Sequence, residues 1–406
     1  MDGQEATTDG RRSAGGASTP AALSWALCVA TLDRIEILEA CLRCVLSQTR
    51  RPSEIVIVDA SAAWRAHAQR ARSIVDGSVP LVYVAARRPS LTVQRNQALE
   101  LARSDILFLI DDDSLMHPDC AAAILAVYEA DGEDAIAAVG ASEVAEVPAA
   151  SGLGEAAGAA ADAAALASRR HARAGRIPGR GRALAGTALG RWVRDEVFLE
   201  LAERHFVPYD AHRSRAPVRV PEGVEATPRP HIGGFALTVR RAVAAAEPFD
   251  PHLLAYCPGE DLDATYRYGR HGAVVVAHKA HLHHRAVAAS RLKRYRVSQL
   301  GSLNSAFFTA QHSDARARHI AQYYVLGLRR LLAELLKDVL RGRPSLPQLR
   351  GTAAGLVRSV AVFTRPRAGL GPWYVALQQR LLGRAAPGAG SGPASSTAPP
   401  TTGTPS

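Results

Sequence analysis

Residues 106–113 read ILFLIDDD, five apolar residues followed by three aspartates. A continuous apolar run of this length predicts a strand that is buried on both faces, as in a parallel sheet. Similar runs, separated by segments whose apolar residues have helical spacing, occur at 26–30 (ALCVA), 54–59 (EIVIVD) and 81–85 (LVYVA). This alternation predicts an α/β fold with a doubly wound, mostly parallel sheet and helices on both faces.

Polar side chains follow several of these strands directly. Thr31 comes after the first strand, Asp59 ends the second, and Asp111, Asp112 and Asp113 follow the strand at 106–110. Ligands of doubly wound sheets bind outside the carboxyl ends of the strands. We therefore expect a ligand site at this edge of the sheet.

The three neighbouring aspartates indicate a metal ion. Their carboxylates repel one another, so some pKa values should rise unless a cation balances the charge. Alternate residues of a strand face the same side, so Asp111 and Asp113 can converge while Asp112 points elsewhere. Carboxylate oxygens suit Mg²⁺ or Mn²⁺, which often binds substrate phosphates as well. The competing interpretation is an acidic turn that caps the next helix.

Two more polar clusters follow later in the chain. Glu260 and Asp261 open a predicted helix, where they are either ordinary caps or a general base and its partner. A strand predicted over 273–277 leads into a histidine cluster, and a neutral imidazole could complete a carboxylate-bound metal site. The cluster consists of His278, His281, His283 and His284.

A predicted helix over 91–102 carries Arg95 and Asn96, which are candidates for binding phosphate or ribose. The sequence contains neither a G-x-x-x-x-G-K-[ST] loop nor a G-x-G-x-x-G fingerprint, which disfavours P-loop enzymes and typical dinucleotide binders. It also lacks the G-x-S-x-G elbow of α/β-hydrolases.

The composition changes along the chain. Residues 1–22 and 386–406 are polar and predict a disordered leader and a disordered tail. We expect a sheet domain over 23–285, with a variable Ala- and Arg-rich insertion at 141–230, and a basic amphipathic helical region over 286–385.

Basic character is concentrated in the helical region. The chain carries a net charge of +11, whereas residues 285–384 hold 18 basic and 3 acidic residues, a net of +15. Residues 320–340 are expected to form a helix with its apolar residues largely on one side, and these are Tyr324, Leu326, Leu328, Leu331, Leu332, Leu335 and Leu336. Such a helix fits the interface of an anionic bilayer. The competing interpretation is helices that pack on the sheet domain with their arginines in solvent.

The sequence favours a cytoplasmic location. Residues 1–20 lack the apolar core of a signal peptide, and the chain has no apolar run of about 18 residues. The five cysteines are too sparse to suggest a disulfide framework.

Three stretches resemble family 2 glycosyltransferases of the GT-A fold, namely 26–59, 91–118 and 233–263 with the histidines that follow. The order of the motifs carries the resemblance: an apolar strand then Thr, a helix ending in Ser-Gln-Thr, a strand ending in Val-Asp, an Arg-Asn helix, an Asp triplet, a Gly-Gly segment, a Glu-Asp pair and a closing His. It covers roughly residues 24–284. The second acid often found after the Val-Asp strand is missing here, and residues 141–230 have no counterpart.

The resemblance implies a donor site for a nucleotide-diphosphate sugar. Thr31, Asp59 and Arg95 would bind the nucleotide half. The family's D-x-D motif falls on the Asp triplet, so Asp113 would hold Mn²⁺ or Mg²⁺, with Asp111 and Asp112 near the ribose, base or sugar.

The resemblance also implies an acceptor site. Glu260 and Asp261 match the acidic pair of the family, and Asp261 would be the catalytic base. His284 best fits the closing histidine by its spacing from the strand, and His283 is its competitor as a metal ligand.

The implied reaction is transfer of a hexosyl or deoxyhexosyl group to an acceptor hydroxyl with inversion. The acceptor would be a glycan or lipid-linked glycan, in polysaccharide or glycolipid assembly of the cell envelope. The basic helices would hold the enzyme peripherally on the inner face of the cell membrane.

Two other classes of function remain open. A metal-dependent nucleotidyltransferase would need a phosphate-binding loop after the first strand, but residues 30–33 (ATLD) are not glycine-rich. A non-catalytic binder of nucleic acid or membrane would use the +15 region. Its few aromatic residues do not form stacking platforms, so we expect no nucleic-acid partner. A degenerate, inactive transferase is a third alternative.

Overall fold

The computed structural model describes residues 22–153, 187–199, 201–210, 220, 222–287 and 293–383. The predicted tail, nearly all of the predicted leader, and residues 154–186 and 211–219 of the insertion lie outside these ranges.

The first half of the sheet is parallel. Its order is β3 (Leu81–Ala85), β2 (Glu54–Asp59), β1 (Trp25–Thr31) and β4 (Ile106–Phe108). Parallel neighbours need crossover connections, and here α1 (Ile35–Leu46), α2 (Trp64–Val75) and α3 (Leu91–Leu101) supply them. The predicted alternation of strands and helices is confirmed.

The second half of the sheet is mixed. β8 (Leu237–Arg240) lies antiparallel between β4 and β6 (Ile136–Glu143), and β6 runs parallel to β9 (Ala273–His284). β5 (Ser114–Met116) and β7 (Ala226–Pro228) pair antiparallel with β9. β9 is longer than the strand predicted over 273–277 because its last residues pair with β5.

The remaining helices cover the sheet and form the C-terminal region. α4 (Cys120–Ala130), α6 (Arg241–Ala246) and α7 (Glu260–Tyr268) belong to the sheet domain. In the insertion, α5 (Ala188–Trp192) continues into a π-helical turn over Val193–Val197. The C-terminal helices are α8 (Arg294–His312), α9 (Arg316–Leu340), α10 (Pro347–Phe363) and α11 (Leu370–Leu382), which confirms the expected helical region.

Buried apolar side chains form two clusters. The larger joins the strands to the buried faces of α1 to α4, and the second lies among α8 to α11. Phe206, Tyr209, Leu253 and Tyr266 precede residue 285 and yet belong to the second cluster. The sheet domain and the helical region are therefore joined by direct packing.

α9 does not have the predicted single apolar side. Tyr324 and Leu331 pack against the second cluster, whereas Leu328 and Leu332 are exposed to solvent. The apolar residues of α9 thus occupy two sides of the helix. Among the described helices, none is long and apolar enough to cross a bilayer.

Candidate active site

The Asp triplet follows the buried strand β4, as the sequence indicates. The apolar run continues past the strand, and the Leu109 amide donates to the Leu237 carbonyl at 2.8 Å. The chain then turns between β4 and β5, and the Ser114 amide donates to the Asp111 carbonyl at 3.1 Å. This turn holds the three carboxyl groups at the sheet edge.

Asp111, Asp113 and His284 form a compact group in which one ligand atom of each lies within 4.8 Å of the others. The pairing of Ser114 with His284 brings the end of β9 to the triplet. His284 Nε2 lies 3.3 Å from Asp113 Oδ1, and the Phe235 ring stacks on the imidazole with centroids 4.4 Å apart. Two carboxylates and an imidazole are a donor set that fits a divalent cation.

The other β9 histidines lie away from this group. His283 Nδ1 is 3.1 Å from the Val144 carbonyl oxygen. It faces the side opposite to His284 because neighbouring residues of a strand alternate. His278 contacts Thr227, and the His281 ring packs edge-on against His117. His284 is therefore the histidine that meets the triplet, and His283 is not placed to share its role.

Asp112 lies outside the metal-binding group, but the predicted strand alternation does not extend to it, because β4 ends at Phe108 and Asp112 and Asp113 lie in the turn that follows. It accepts a hydrogen bond from Thr31 Oγ1 at 2.8 Å and pairs with Arg34 Nη1 at 3.0 Å. Arg34 Nη2 lies 2.8 Å from Asp113 Oδ2. Burial raises the pKa of Asp112 to about 7, against the opposing charge of Arg34.

Asp113 is kept ionised by its neighbours. Burial opposes its charge, but the hydrogen bond and charge of His284, together with Arg34, hold the pKa of Asp113 well below its usual range. An ionised carboxylate is the form that binds metal.

Arg34 was not selected from the sequence. It follows Asp33, whose left-handed backbone (φ 52°) is held by a hydrogen bond from its amide to Ser61 Oγ at 2.7 Å. This turn starts α1 at the carboxyl end of β1. The available signal was its position three residues after Thr31 at the same sheet edge.

Arg95 lies behind the site rather than on its surface. Its side chain is 3% exposed, with Nη2 2.9 Å from Asp111 Oδ1 and Nη1 3.3 Å from Glu260 Oε1. Its Nη2 also donates to the Gly234 carbonyl at 3.3 Å. Arg95 therefore links the two acidic clusters, and its expected contact with the donor stays a prediction.

Glu260 and Asp261 begin α7 and have opposite environments. The Asp261 carboxylate accepts a hydrogen bond from the Gly234 amide at 3.0 Å, and it lies 3.3 Å from His231 Nε2. Although burial opposes it, the interaction with His231 lowers the pKa of Asp261 to about 2. Burial and the charge of Asp261 raise the pKa of Glu260 well above its usual range. Such divergence marks acid–base pairs at active sites.

The Gly-Gly segment permits this close packing. A Cβ on Gly234 would lie 2.7 Å from Arg95 Nη2, and one on Gly233 would lie 2.7 Å from the Phe235 ring. Glycine thus allows the backbone to approach Arg95 and to offer its amide to Asp261.

Two predicted binding residues do not border the site. Asp59 is buried and accepts hydrogen bonds from the amide (2.7 Å) and hydroxyl of Ser61 and from Tyr83 (2.7 Å), with His67 at 2.9 Å. The Asn96 amide makes two hydrogen bonds to the backbone of Phe249, at 2.8 and 2.9 Å. Both side chains are engaged by the fold around the sheet edge, and their expected contact with a ligand stays a prediction.

A cleft of about 340 Å³ opens over the triplet, a volume within the range of small-molecule sites. Seven residues that the sequence analysis singled out line the cleft, and these are Thr31, Asp111, Asp112, Asp113, Glu260, Asp261 and His284. Arg34, Gln94, Phe235 and Tyr256 also line it and were not selected from the sequence.

The N-terminal part of the sheet domain is similar to a known family. Residues 26–148 match glycosyl transferase family 2. The resemblance inferred from the motifs is confirmed, and the mixed α/β sheet with its helical C-terminal region agrees with the expected fold class. The match covers less than a third of the chain and ends before the Glu260–Asp261 pair. No curated protein matches the chain.

The solved structures that align with the chain include two at low identity. One is a mannosyltransferase from Pyrobaculum calidifontis in complex with GDP-Man and Mn²⁺. It is 14% identical, the alignment covers 89% of this chain and 81% of that chain, and the TM-score is 0.42. The other is GalNAc-T7 with UDP, GalNAc and Mn²⁺, with 12% identity, 80% of this chain and 59% of that chain covered, and a TM-score of 0.42.

Proposed function

We propose that this protein is an inverting glycosyltransferase that moves a sugar from a nucleotide-diphosphate donor to an acceptor hydroxyl. The observation that carries the proposal is one cleft lined by Asp111, Asp113 and His284 and by the ionised Asp261. A metal-binding group and a carboxylate base facing the same space are what such a displacement needs. The family match over 26–148 supports the reaction class.

The donor would lie along the triplet. Asp111, Asp113 and His284 would hold Mn²⁺ or Mg²⁺, which when bound neutralises charge on the leaving diphosphate. The Arg34 guanidinium lines the same cleft and can donate to phosphate oxygens. Thr31 and Asp112 hydrogen-bond to each other at 2.8 Å and form the cleft wall toward β1, where the ribose would be accommodated.

The acceptor would lie against Asp261. In the displacement, the acceptor oxygen bonds to the anomeric carbon while the bond from that carbon to the phosphate oxygen breaks. Asp261 takes the acceptor hydroxyl proton, and His231 beside it keeps its carboxylate ionised and oriented. A single displacement inverts the anomeric centre. Glu260, next to the base in the chain, is paired with the Arg95 guanidinium at 3.3 Å, which balances its charge.

We further propose a hexosyl or deoxyhexosyl donor and a glycan or lipid-linked glycan acceptor, as in polysaccharide or glycolipid assembly of the cell envelope. The net charge of +15 over residues 285–384 supports an anionic membrane surface as partner. A peripheral enzyme on the inner face of the cell membrane would meet both the nucleotide sugar and the lipid-linked acceptor.

Isothermal titration with UDP, GDP and dTDP, each with Mn²⁺, Mg²⁺ or EDTA, tests the donor site. We expect one nucleotide to bind only with metal, and Asp113→Asn to abolish this binding. Asp119→Asn is the matched control, because Asp119 is an exposed aspartate outside the cleft. Binding that is insensitive to both EDTA and Asp113→Asn would remove the proposed donor site.

Asp261→Asn tests the base. The variant should lose sugar transfer by at least about a hundredfold while nucleotide binding stays unchanged, since general base catalysis contributes about 10²–10⁴-fold. Transfer at the wild-type rate would eliminate Asp261 as the base. Release of pyrophosphate from a nucleoside triphosphate, without sugar transfer, would instead indicate a nucleotidyltransferase.

A further inference from the structure

α9 leaves one apolar side without a covering element in the described structure. Its inner side packs into the second cluster through Tyr323, Tyr324 and Leu331. On the outer side, five large apolar residues are between 55% and 67% exposed, and these are Val325, Leu328, Leu332, Val339 and Leu340. They extend over about 22 Å of helix at 1.5 Å per residue. Contiguous exposed apolar surface of this kind marks an interaction site.

Two neighbouring segments extend this surface. α5 exposes Leu189 (60%) and Trp192 (57%), and the turn after it is fixed to α9 by Glu196, whose carboxylate lies 2.8 Å from Arg329 Nη2. α10 packs beside α9 through the 3.0 Å hydrogen bond between the Tyr324 and Ser359 hydroxyls. It exposes two further apolar side chains, Val357 and Val360.

The exposed charged residues of α9 and α10 are basic. The two acidic residues of α9, Glu334 and Asp338, are buried at 4% and 0% exposure, and α10 contains no acidic residue. Arg318 and Arg358 are exposed, whereas the charge of Arg329 is paired with Glu196. The outer sides of α9 and α10 therefore offer apolar and basic groups. A second copy of this chain would bring like charges together, whereas an anionic surface complements them.

We propose that the outer side of α9, with Leu189 and Trp192 of α5, lies on an anionic lipid bilayer, with the helix axis in the plane of the interface. Apolar side chains would enter the acyl boundary while the arginines meet lipid phosphates. Trp192 suits the headgroup level, where tryptophan is enriched. This inference rests on the membrane part of the proposed function and identifies the surface that performs it.

Hydrogen bonds connect α9, through α8, to the acceptor side of the cleft. The Tyr323 hydroxyl of α9 donates to the Ser302 carbonyl of α8 at 3.0 Å, and Asn304 of α8 donates to the Pro258 carbonyl at 2.9 Å. Pro258 immediately precedes the turn into α7, which carries Asp261. The lipid-contacting helix is thus braced against the acceptor side of the cleft.

Co-flotation of the full chain with vesicles tests the proposal. We expect binding to vesicles of phosphatidylglycerol and phosphatidylcholine at low salt, and weak binding to phosphatidylcholine alone. The double variant Leu328→Ser/Leu332→Ser should reduce the partition coefficient by at least about tenfold, since each leucine loses burial in the bilayer. Both side chains are more than half exposed, so folding should be retained, and nucleotide binding of the same samples verifies it.

A second pair of variants tests the charges. Arg318→Gln/Arg358→Gln should weaken binding to the anionic vesicles by about fivefold per charge removed. Arg65→Gln/Arg72→Gln is the matched control, since both arginines are exposed on α2 in the sheet domain, and it should bind as the wild type does.

Three results would overturn the proposal. They are equal binding to neutral and anionic vesicles, vesicle binding unchanged by the leucine variant, and a dimer in solution that the leucine variant converts to a monomer without any vesicle binding. The last result would make the surface an interface between copies. Because nucleotide titration is measured separately, failure of membrane binding and failure of the proposed transferase site are distinguishable.

Discussion

Replacing Arg95 with methionine tests whether this residue supports the cleft from behind or contacts the donor. The side chain is 3% exposed and lies 2.9 Å from Asp111 and 3.3 Å from Glu260. Methionine preserves much of the apolar packing against Phe249 but removes the charge. Two acids then lose their buried cation, and breaking a buried pair in this way costs about 3–5 kcal/mol.

For Arg95→Met we expect a cost at the lower end of the range of about 3–5 kcal/mol. Asp111 is 34% exposed and can be hydrated, and the raised pKa of Glu260 allows it to take up a proton when the cation is lost. We therefore expect Arg95→Met to reduce the free energy of unfolding by about 3 kcal/mol. With an entropy of unfolding of about 2.1 cal/mol/K per residue, a folded unit larger than 250 residues should then show a decrease in Tm of about 4–6 °C.

A double-mutant cycle with Glu260→Gln isolates the interaction. The double variant should lose less stability than the sum of the single variants, by about 1–3 kcal/mol, because the residues are in contact. Thermal melting followed by circular dichroism measures all four proteins, and nucleotide titration is performed on the same samples. Arg95→Met with a wild-type Tm and no nucleotide binding would refute the reasoning, since Arg95 would then act on the donor.

Three further expectations follow from contacts around the site and the second core. Arg34→Gln should weaken nucleoside diphosphate binding by about tenfold or more, since a hydrogen bond to a charged group contributes about 1.5–3 kcal/mol. An equal loss of affinity for the uncharged nucleoside would contradict a contact between Arg34 and phosphate. Gly234→Ala should lower both Tm and transfer activity, because its Cβ would lie 2.7 Å from Arg95 Nη2, whereas Gly132→Ala, with nothing within 4 Å, should change neither. Burial and nearby basic residues lower the pKa of His205 to about 3, so below pH 6.5 the unfolded chain binds a proton that the folded chain does not. Denaturant unfolding from pH 7 to pH 5 should therefore be less favourable to the wild type than to His205→Phe, with the stability difference between the two proteins changing by about 2 kcal/mol over this range.

The sequence predicts those parts of the site in which one local pattern indicates both the strand or helix and the chemical role of its side chains. Five apolar residues before Asp111 predict a buried strand, and residues 106–110 are buried. The direction of each aspartate was not predictable in this way, because a turn after β4 places Asp112 and Asp113 on the same Arg34 guanidinium. Glu260 and Asp261 at a helix start fit ordinary caps as well as an acid–base pair, and the resemblance to family 2 glycosyltransferases is what implies that Asp261 is the base.

Other site residues depend on contacts between distant segments. Arg34 meets Asp113 across 79 positions of sequence, and nothing local distinguishes it from a surface arginine. His231 becomes significant only beside Asp261. For Arg95 and Asn96, the residue type suggested ligand binding, but side-chain direction is set by packing against Glu260 and Phe249.

The charge balance of the triplet explains how three adjacent carboxyl groups coexist at the end of a buried strand. Arg95 holds Asp111 from behind, and Arg34 bridges Asp112 and Asp113 from the cleft side. Burial leaves Asp112 with a pKa near 7, so this one group can hold a proton while Asp113, beside His284, stays charged. The fold thus concentrates negative charge where Asp111, Asp113 and His284 converge and relieves it at Asp112. Because Arg34 both neutralises this charge and lines the cleft, it is the residue through which the triplet and a bound diphosphate would influence each other.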